Sequence, residues 1–141
     1  MEKAPVPINV LVVEDNAHTR LLFERFLKKL DCHATFCQSV ERAVETLRRR
    51  VYHVVFCELC IRPEGGRGLA RWIREHAPGT VCYVVTGWKG ELEQALLRRD
   101  GIHGVVRKPL NYNDIKTAVL DGNASDREVP AASVAPDAEK K

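Results

Sequence analysis

No apolar run in this 141-residue chain approaches the roughly 20 residues that span a bilayer, so a transmembrane helix is not predicted. The amino terminus, Met1-Glu2-Lys3-Ala4-Pro5-Val6-Pro7, lacks a long apolar region and a cleavage-site pattern, and a secretion signal is not predicted either. The expected location is therefore cytoplasmic, with no membrane partner. The five cysteines are odd in number and irregular in spacing. They make no disulfide framework, and in a reducing compartment they read as small buried hydrophobes. A net charge of +3 is too slight to argue for nucleic acid. What the chain does have is 45% apolar content, enough for the core of one ordinary domain.

Periodicity predicts alternating strands and helices. From Ala17 to Leu30, residues Leu21, Leu22, Phe26, Leu27 and Leu30 recur at helical spacing, with Arg20, Glu24, Arg25, Lys28 and Lys29 between them. His33 to Cys37 reads as a short strand. Ser39 offers a hydroxyl cap to a second helix through Val40, Val44 and Leu47, closed by Arg48-Arg49-Arg50, where positive charge suits the carboxyl end of the dipole. The glycine-rich stretch from Glu64 to Gly68 reads as a turn leading into a helix from Leu69 to His76, which Pro78-Gly79 ends. A fourth helix is expected from about Glu91 to Arg99, and a fifth starts near Asn111 and carries Ile115, Ala118, Val119 and Leu120. Five near-continuous apolar strands separated by helices imply an α/β fold, a doubly wound parallel sheet covered on both faces. Residues 7–121 form the expected domain. Residues 122–141, rich in Gly, Asn, Ser, Pro, Ala and charge, read as a disordered tail.

Four landmarks stand at the carboxyl ends of strand-like segments, where parallel sheets place their sites. They are Glu14-Asp15 after Ile8 to Val13, Glu58 after Val54 to Cys57, Thr86-Gly87 after Val81 to Val85, and Lys108-Pro109 after Gly104 to Arg107. In this order and at these intervals the chain resembles the receiver domain of bacterial two-component response regulators, the CheY-like (βα)5 fold. The resemblance covers roughly residues 7 to 121.

The resemblance implies a site chemistry. Glu14, Asp15 and Glu58 would form an oxygen-rich cleft for Mg²⁺, which neutralises phosphoryl charge during transfer to an aspartate. Lys108 would pair with one phosphoryl oxygen and Thr86 would hydrogen-bond another. Read alone, the same residues have plainer roles: Glu14-Asp15 as carboxylates at the amino end of a helix, Lys108 as a solvated lysine, Thr86 as a turn hydroxyl.

Three departures from the family pattern bear on function. Glu58 stands where the phosphoacceptor aspartate belongs, and its carboxylate lies one methylene, about 1.5 Å, further out. Misplacements of about 1 Å are costly to catalysis. Four residues, not the usual three, separate Glu58 from Pro63; if the extra residue lies before Glu58, Leu59 takes the acceptor place instead. Val105 stands where the family usually carries an aromatic that reports phosphorylation. A carboxylate reaching Lys108 would imitate a phosphorylated aspartate only in part, with one charge against nearly two.

The favoured expectation is a stand-alone receiver acting by protein–protein contact, not an enzyme beyond self-phosphorylation. Its partners would be a histidine kinase, a phosphotransfer protein or a downstream effector, with the chain a monomer or weak dimer. The alternatives are a Mg²⁺-dependent phosphoacceptor and an interaction subunit outside phosphorelay. Trp88, Lys89 and Val105 are the expected partner-binding residues, since Trp88 follows the Thr86-Gly87 landmark in a loop where an exposed aromatic serves recognition. Lys89, Arg98, Arg99, Arg107 and Lys116 tint that side basic, and a solvated surface is the favoured explanation for them. Trp72 is expected on the packing face of its helix. Cys57 and Cys60 have the spacing of a metal or redox pair, but residues three apart on a strand point to opposite faces.

Overall fold

In the computed structural model of the chain, residues 7–62, 64–90 and 92–123 are described. Ten elements alternate: β1 (Asn9–Val13), α1 (Ala17–Lys29), β2 (His33–Cys37), α2 (Val40–Arg49), β3 (Val54–Glu58), α3 (Gly65–His76), β4 (Val81–Thr86), α4 (Gln94–Arg99), β5 (Ile102–Arg107) and α5 (Tyr112–Gly122). The strands form one all-parallel sheet in the order β2-β1-β3-β4-β5. Chain order reverses direction between β1 and β3, the crevice where open α/β sheets carry their sites.

The apolar residues of each strand divide by pleat between two cores. On one face Leu11, Val13, Val55, Cys57 and Val84 pack with residues of α2, α3 and α4; on the other Val10, Val12, Phe56 and Val85 pack with Phe23 and Leu27 of α1 and with Ile115 and Val119 of α5. Each such side chain taken fully out of water contributes about 1.5–3 kcal/mol, which makes β1 and β3, with Val10 to Val13 and Val54 to Cys57 at 0% exposure, the rigid centre of the molecule. The five-stranded, doubly wound architecture expected from the sequence is the one present.

Two helices begin elsewhere than expected. The stretch read as a glycine-rich turn is the first turn of α3, which starts at Gly65. Gly65 takes a positive φ of 81°, and the N–H of Gly66 donates to the Leu59 carbonyl at 2.9 Å. A Cβ on Gly66 would meet Val84 Cγ1 at 3.0 Å and the Glu58 carbonyl at 3.1 Å, so these glycines serve close approach of helix to sheet. Helix α4 begins at Gln94 and keeps only 6 residues; Glu91, the expected start, lies outside the described residues. Helix α5 runs through Gly122, and residues 124–141 of the expected tail lie outside the described residues as well.

The cysteines also divide differently. Only Cys57 and Cys82 are buried, Cys32 and Cys37 are half-buried, and Cys60 is exposed. Burial beneath the helices pushes the Cys82 thiol up to about 12. The chain turns at Leu59-Cys60, and Cys57 and Cys60 are free thiols, the first buried and the second exposed. Trp72 packs against the α2/α3 core, stacks on His76 at 4.5 Å between ring centres and carries the Arg48 guanidinium over its ring.

Candidate functional site

At the carboxyl end of β1, Glu14 is held by backbone. Its N–H donates to the Cys37 carbonyl at 3.0 Å, continuing the β1–β2 ladder by one residue. Its Oε2 accepts the Asn16 N–H at 3.1 Å, and its carbonyl accepts from the Arg20 guanidinium at 3.0 Å. The side chain is 1% exposed. Burial raises the Glu14 carboxyl above its ordinary range, against the lowering effect of the Asn16 N–H and of the Lys108 charge. The cap of α1 is Asn16, whose side chain accepts the Thr19 N–H at 2.9 Å, so capping does not account for Glu14. Asp15, its neighbour, is exposed.

Glu58 closes β3 and has both carboxylate oxygens engaged. Oε1 accepts from Lys108 Nζ at 2.6 Å, and Oε2 accepts the Cys60 N–H at 3.2 Å. Lys108 reaches it from the end of β5, just before a cis bond to Pro109, while its own N–H donates to the Thr86 carbonyl at 2.8 Å. Lys108 Nζ also stands 3.5 Å from Glu14 Oε1, at the outer limit of a hydrogen bond, and that oxygen is buried with no hydrogen-bond partner among the described residues. Desolvation pushes the Lys108 ammonium down, but its hydrogen bond to Glu58 and the charges of both glutamates outweigh this and leave it raised. The ammonium is thus the cation of the site, shared unequally between two carboxylates.

Of the residues expected at the site, Glu14, Glu58 and Lys108 converge. Asp15 does not join them, and the Thr86 hydroxyl, buried at the end of β4, accepts the Trp88 N–H at 3.0 Å as a turn hydroxyl does. Among the described residues no three His, Cys, Asp or Glu side chains stand close enough to hold a metal ion. Mg²⁺ asks for near-octahedral oxygen ligands at about 2.0–2.1 Å, and here an ammonium lies between the two carboxylates that would supply them. As arranged, these residues do not fit that ion.

Beyond Thr86 the chain presents Trp88, 58% exposed, with Lys89 exposed beside it. The Arg107 guanidinium donates to the Trp88 and Gly90 carbonyls, and Gly90 lies against the indole so closely that a Cβ there would overlap it. Val105 is half-buried against the core. Sequence reasoning missed Asn16 and Arg20, which orient Glu14. The first was legible as a capping residue three before Thr19; nothing in the spacing marked the second.

The comparisons agree with this fold. Residues 10–120 match the family model described as the response regulator receiver domain. The transcriptional regulatory protein ZraR of Escherichia coli O157:H7 is 21% identical over 130 residues, covering 89% of this chain. The chain spans 30% of that relative's length. Among solved structures, a chain of the Saccharomyces cerevisiae co-crystal of the histidine phosphotransfer signaling protein Ypd1 with the receiver domain of its downstream response regulator Ssk1 aligns with a TM-score of 0.76. It is 18% identical and covers 91% of this chain and 97% of that one. A CheY-like response regulator receiver domain protein from Methanospirillum hungatei JF-1 aligns at 0.73, with 15% identity and coverage of 83% and 97%. At these identities the structural likeness concerns the fold.

Proposed function

Because this chain belongs to the response regulator receiver domain family of two-component signalling, we propose that it is a receiver in which Glu58 replaces the phosphoacceptor and which acts by protein–protein contact. The observation that carries the reading is the 2.6 Å pair between Lys108 Nζ and Glu58 Oε1. A phosphoacceptor presents a carboxylate oxygen to the donor while a lysine stabilises the charge on the incoming phosphoryl group. Here the longer side chain has already reached the lysine, and the other oxygen accepts the Cys60 N–H. The site holds one electrostatic state without chemistry: one buried and one partly buried carboxylate around one ammonium, with the Thr86 hydroxyl turned to the Trp88 loop.

The partners in this reading are a histidine kinase, a phosphotransfer protein or a downstream effector, met in the cytoplasm. The likeness to a chain from a phosphotransfer-protein complex supports that class. In this reading Trp88, Lys89 and the half-buried Val105 make the contact, with the exposed tryptophan a suitable anchor. Among the described residues no helix is long and apolar enough to cross a membrane. Mg²⁺ has no role in this state of the site, since the residues do not fit it.

The test is intact-mass spectrometry after incubation with acetyl phosphate and Mg²⁺, comparing the native chain with Glu58→Asp. The native chain is expected to gain no phosphoryl mass. Glu58→Asp withdraws the carboxylate by about 1.5 Å, frees Lys108, and is expected to gain it. Phosphoryl mass on the native chain would overturn the proposal and establish a working phosphoacceptor.

A further inference from the structure

Strand β2 is an edge of the sheet, paired with β1 alone. The His33 N–H donates to the Ile8 carbonyl, and the Cys37 carbonyl accepts the Glu14 N–H. Parallel pairing alternates the side to which successive residues direct their backbone groups, so His33, Thr35 and Cys37 spend theirs on β1. Those of Ala34 and Phe36 face the open side. Exposed edges are usually blunted by a lysine, a proline or a bulge. The sequence His33-Ala34-Thr35-Phe36-Cys37 contains neither residue, and its register with β1 is unbroken. The opposite edge differs, because the β4–β5 register shifts at Cys82/Tyr83.

The two faces beside this open edge differ in chemistry. On the α2 side, two adjoining hollows of about 390 and 560 Å³ share Phe36, Cys37 and Arg42. Arg49 and Arg50 complete the wall of the first, which holds a single carboxylate, Glu45. On the α1 side, Ala34 and Phe36 are half-buried with Phe26 and Leu30 against an apolar core. A strand laid on this edge would send alternate side chains to these two faces.

We propose that the open edge of β2 binds an extended peptide segment in which acidic and apolar residues alternate. Its backbone pairs with the free groups of Ala34 and Phe36. Its carboxylates lie under Arg42, Arg49 and Arg50, and its apolar side chains pack beside Phe36. This is strand addition, in which main-chain bonds supply affinity and alternate side chains supply specificity. It places a partner surface at the edge of the sheet away from Trp88, and it stands independently of whether Glu58 is phosphorylated.

The experiment uses a short fluorescein-labelled peptide of alternating glutamate and valine, read by fluorescence anisotropy against the full chain. A peptide of the same composition with its glutamates and valines in separate blocks is the control. The alternating peptide is expected to bind about tenfold tighter than the block peptide. The double variant Arg42→Glu, Arg49→Glu is expected to lose about tenfold, and methylating the peptide's amide nitrogens to abolish binding. The methylated peptide tests strand pairing without altering the protein, so the outcome does not depend on a variant's folding. Equal binding of the alternating and block peptides, survival of binding after methylation, or no binding of the alternating peptide to the native chain would each overturn the proposal.

Discussion

Lys108 is the residue on which one buried and one partly buried carboxylate depend. Substituting it by alanine leaves Glu58 and Glu14, with side chains 14% and 1% exposed, without their cation. Removing one partner of a buried ion pair costs about 3–5 kcal/mol, and solvent at Glu58 places the expected loss near the lower end, read from urea denaturation. Glu14 sets a pH dependence of opposite origin. Burial raises its carboxyl above 4.5, so the folded chain holds that proton more tightly than the unfolded chain. Its contribution to stability is full below pH 4.5 and is lost as pH rises through the raised value. Relative to Glu14→Gln, which has no proton to lose, the native chain should therefore lose stability as pH increases above 4.5; chemical denaturation of both across pH 4 to 8 measures it. The presence of Glu14, Glu58 and Lys108 at strand ends was legible in the sequence, because apolar runs ending in a polar residue mark where strands emerge. The reach of Glu58 to Lys108 was legible too, from its extra methylene; the unequal sharing of the ammonium with Glu14 and the turn of the Thr86 hydroxyl to the Trp88 N–H were not, since they depend on how the strand ends pack.

Among the elements, α3 shows what spacing alone conceals. Gly65, Gly66 and Gly68 read as a turn because glycine disfavours helix interiors, yet tertiary packing overrides that preference. The sheet needs the helix close, and only a residue without Cβ fits between Val84 and the Glu58 carbonyl. Gly66→Ala would press a methyl group on both at about 3 Å. As one contact is backbone, the expected cost is about 1–3 kcal/mol, visible as a lower thermal midpoint. Because the displaced contact is the carbonyl of Glu58 itself, the same variant should also loosen the pair with Lys108. The strands and α1, α2 and α5 followed their sequence signals well, with Asn16, Ser39 and Asn111 acting as caps. The start of α4 did not, because Trp88 and Gly90 are committed to the loop that Arg107 holds.

For the whole molecule, the all-parallel sheet gathers residues more than 90 positions apart, from Glu14 to Lys108, into one crevice. That gathering follows from a parallel sheet, which brings the carboxyl ends of its strands to one edge, and the alternation of strands and helices in the sequence predicted such a sheet. Thermal stability offers a global readout of its charge state. Anything that binds only the folded chain raises the midpoint by mass action. In the native protein, with Lys108 already between the carboxylates, Mg²⁺ is expected to raise it no more than NaCl at matched ionic strength. In Lys108→Ala, the two uncompensated carboxylates should make Mg²⁺ the better stabiliser. Differential scanning calorimetry of both proteins in the two salts decides it; a Mg²⁺-specific shift in the native chain would show that the crevice opens to the ion.

The Lys108–Glu58 pair has a consequence in time. An acyl phosphate is a labile bond, and a signal written in it fades as that bond hydrolyses. The carboxyl of Glu58 is joined through carbon and has no such clock. On the proposed reading the state of the crevice is fixed at translation and lasts as long as the polypeptide. The duration of whatever message it carries is then set by how fast the cell makes and destroys the protein.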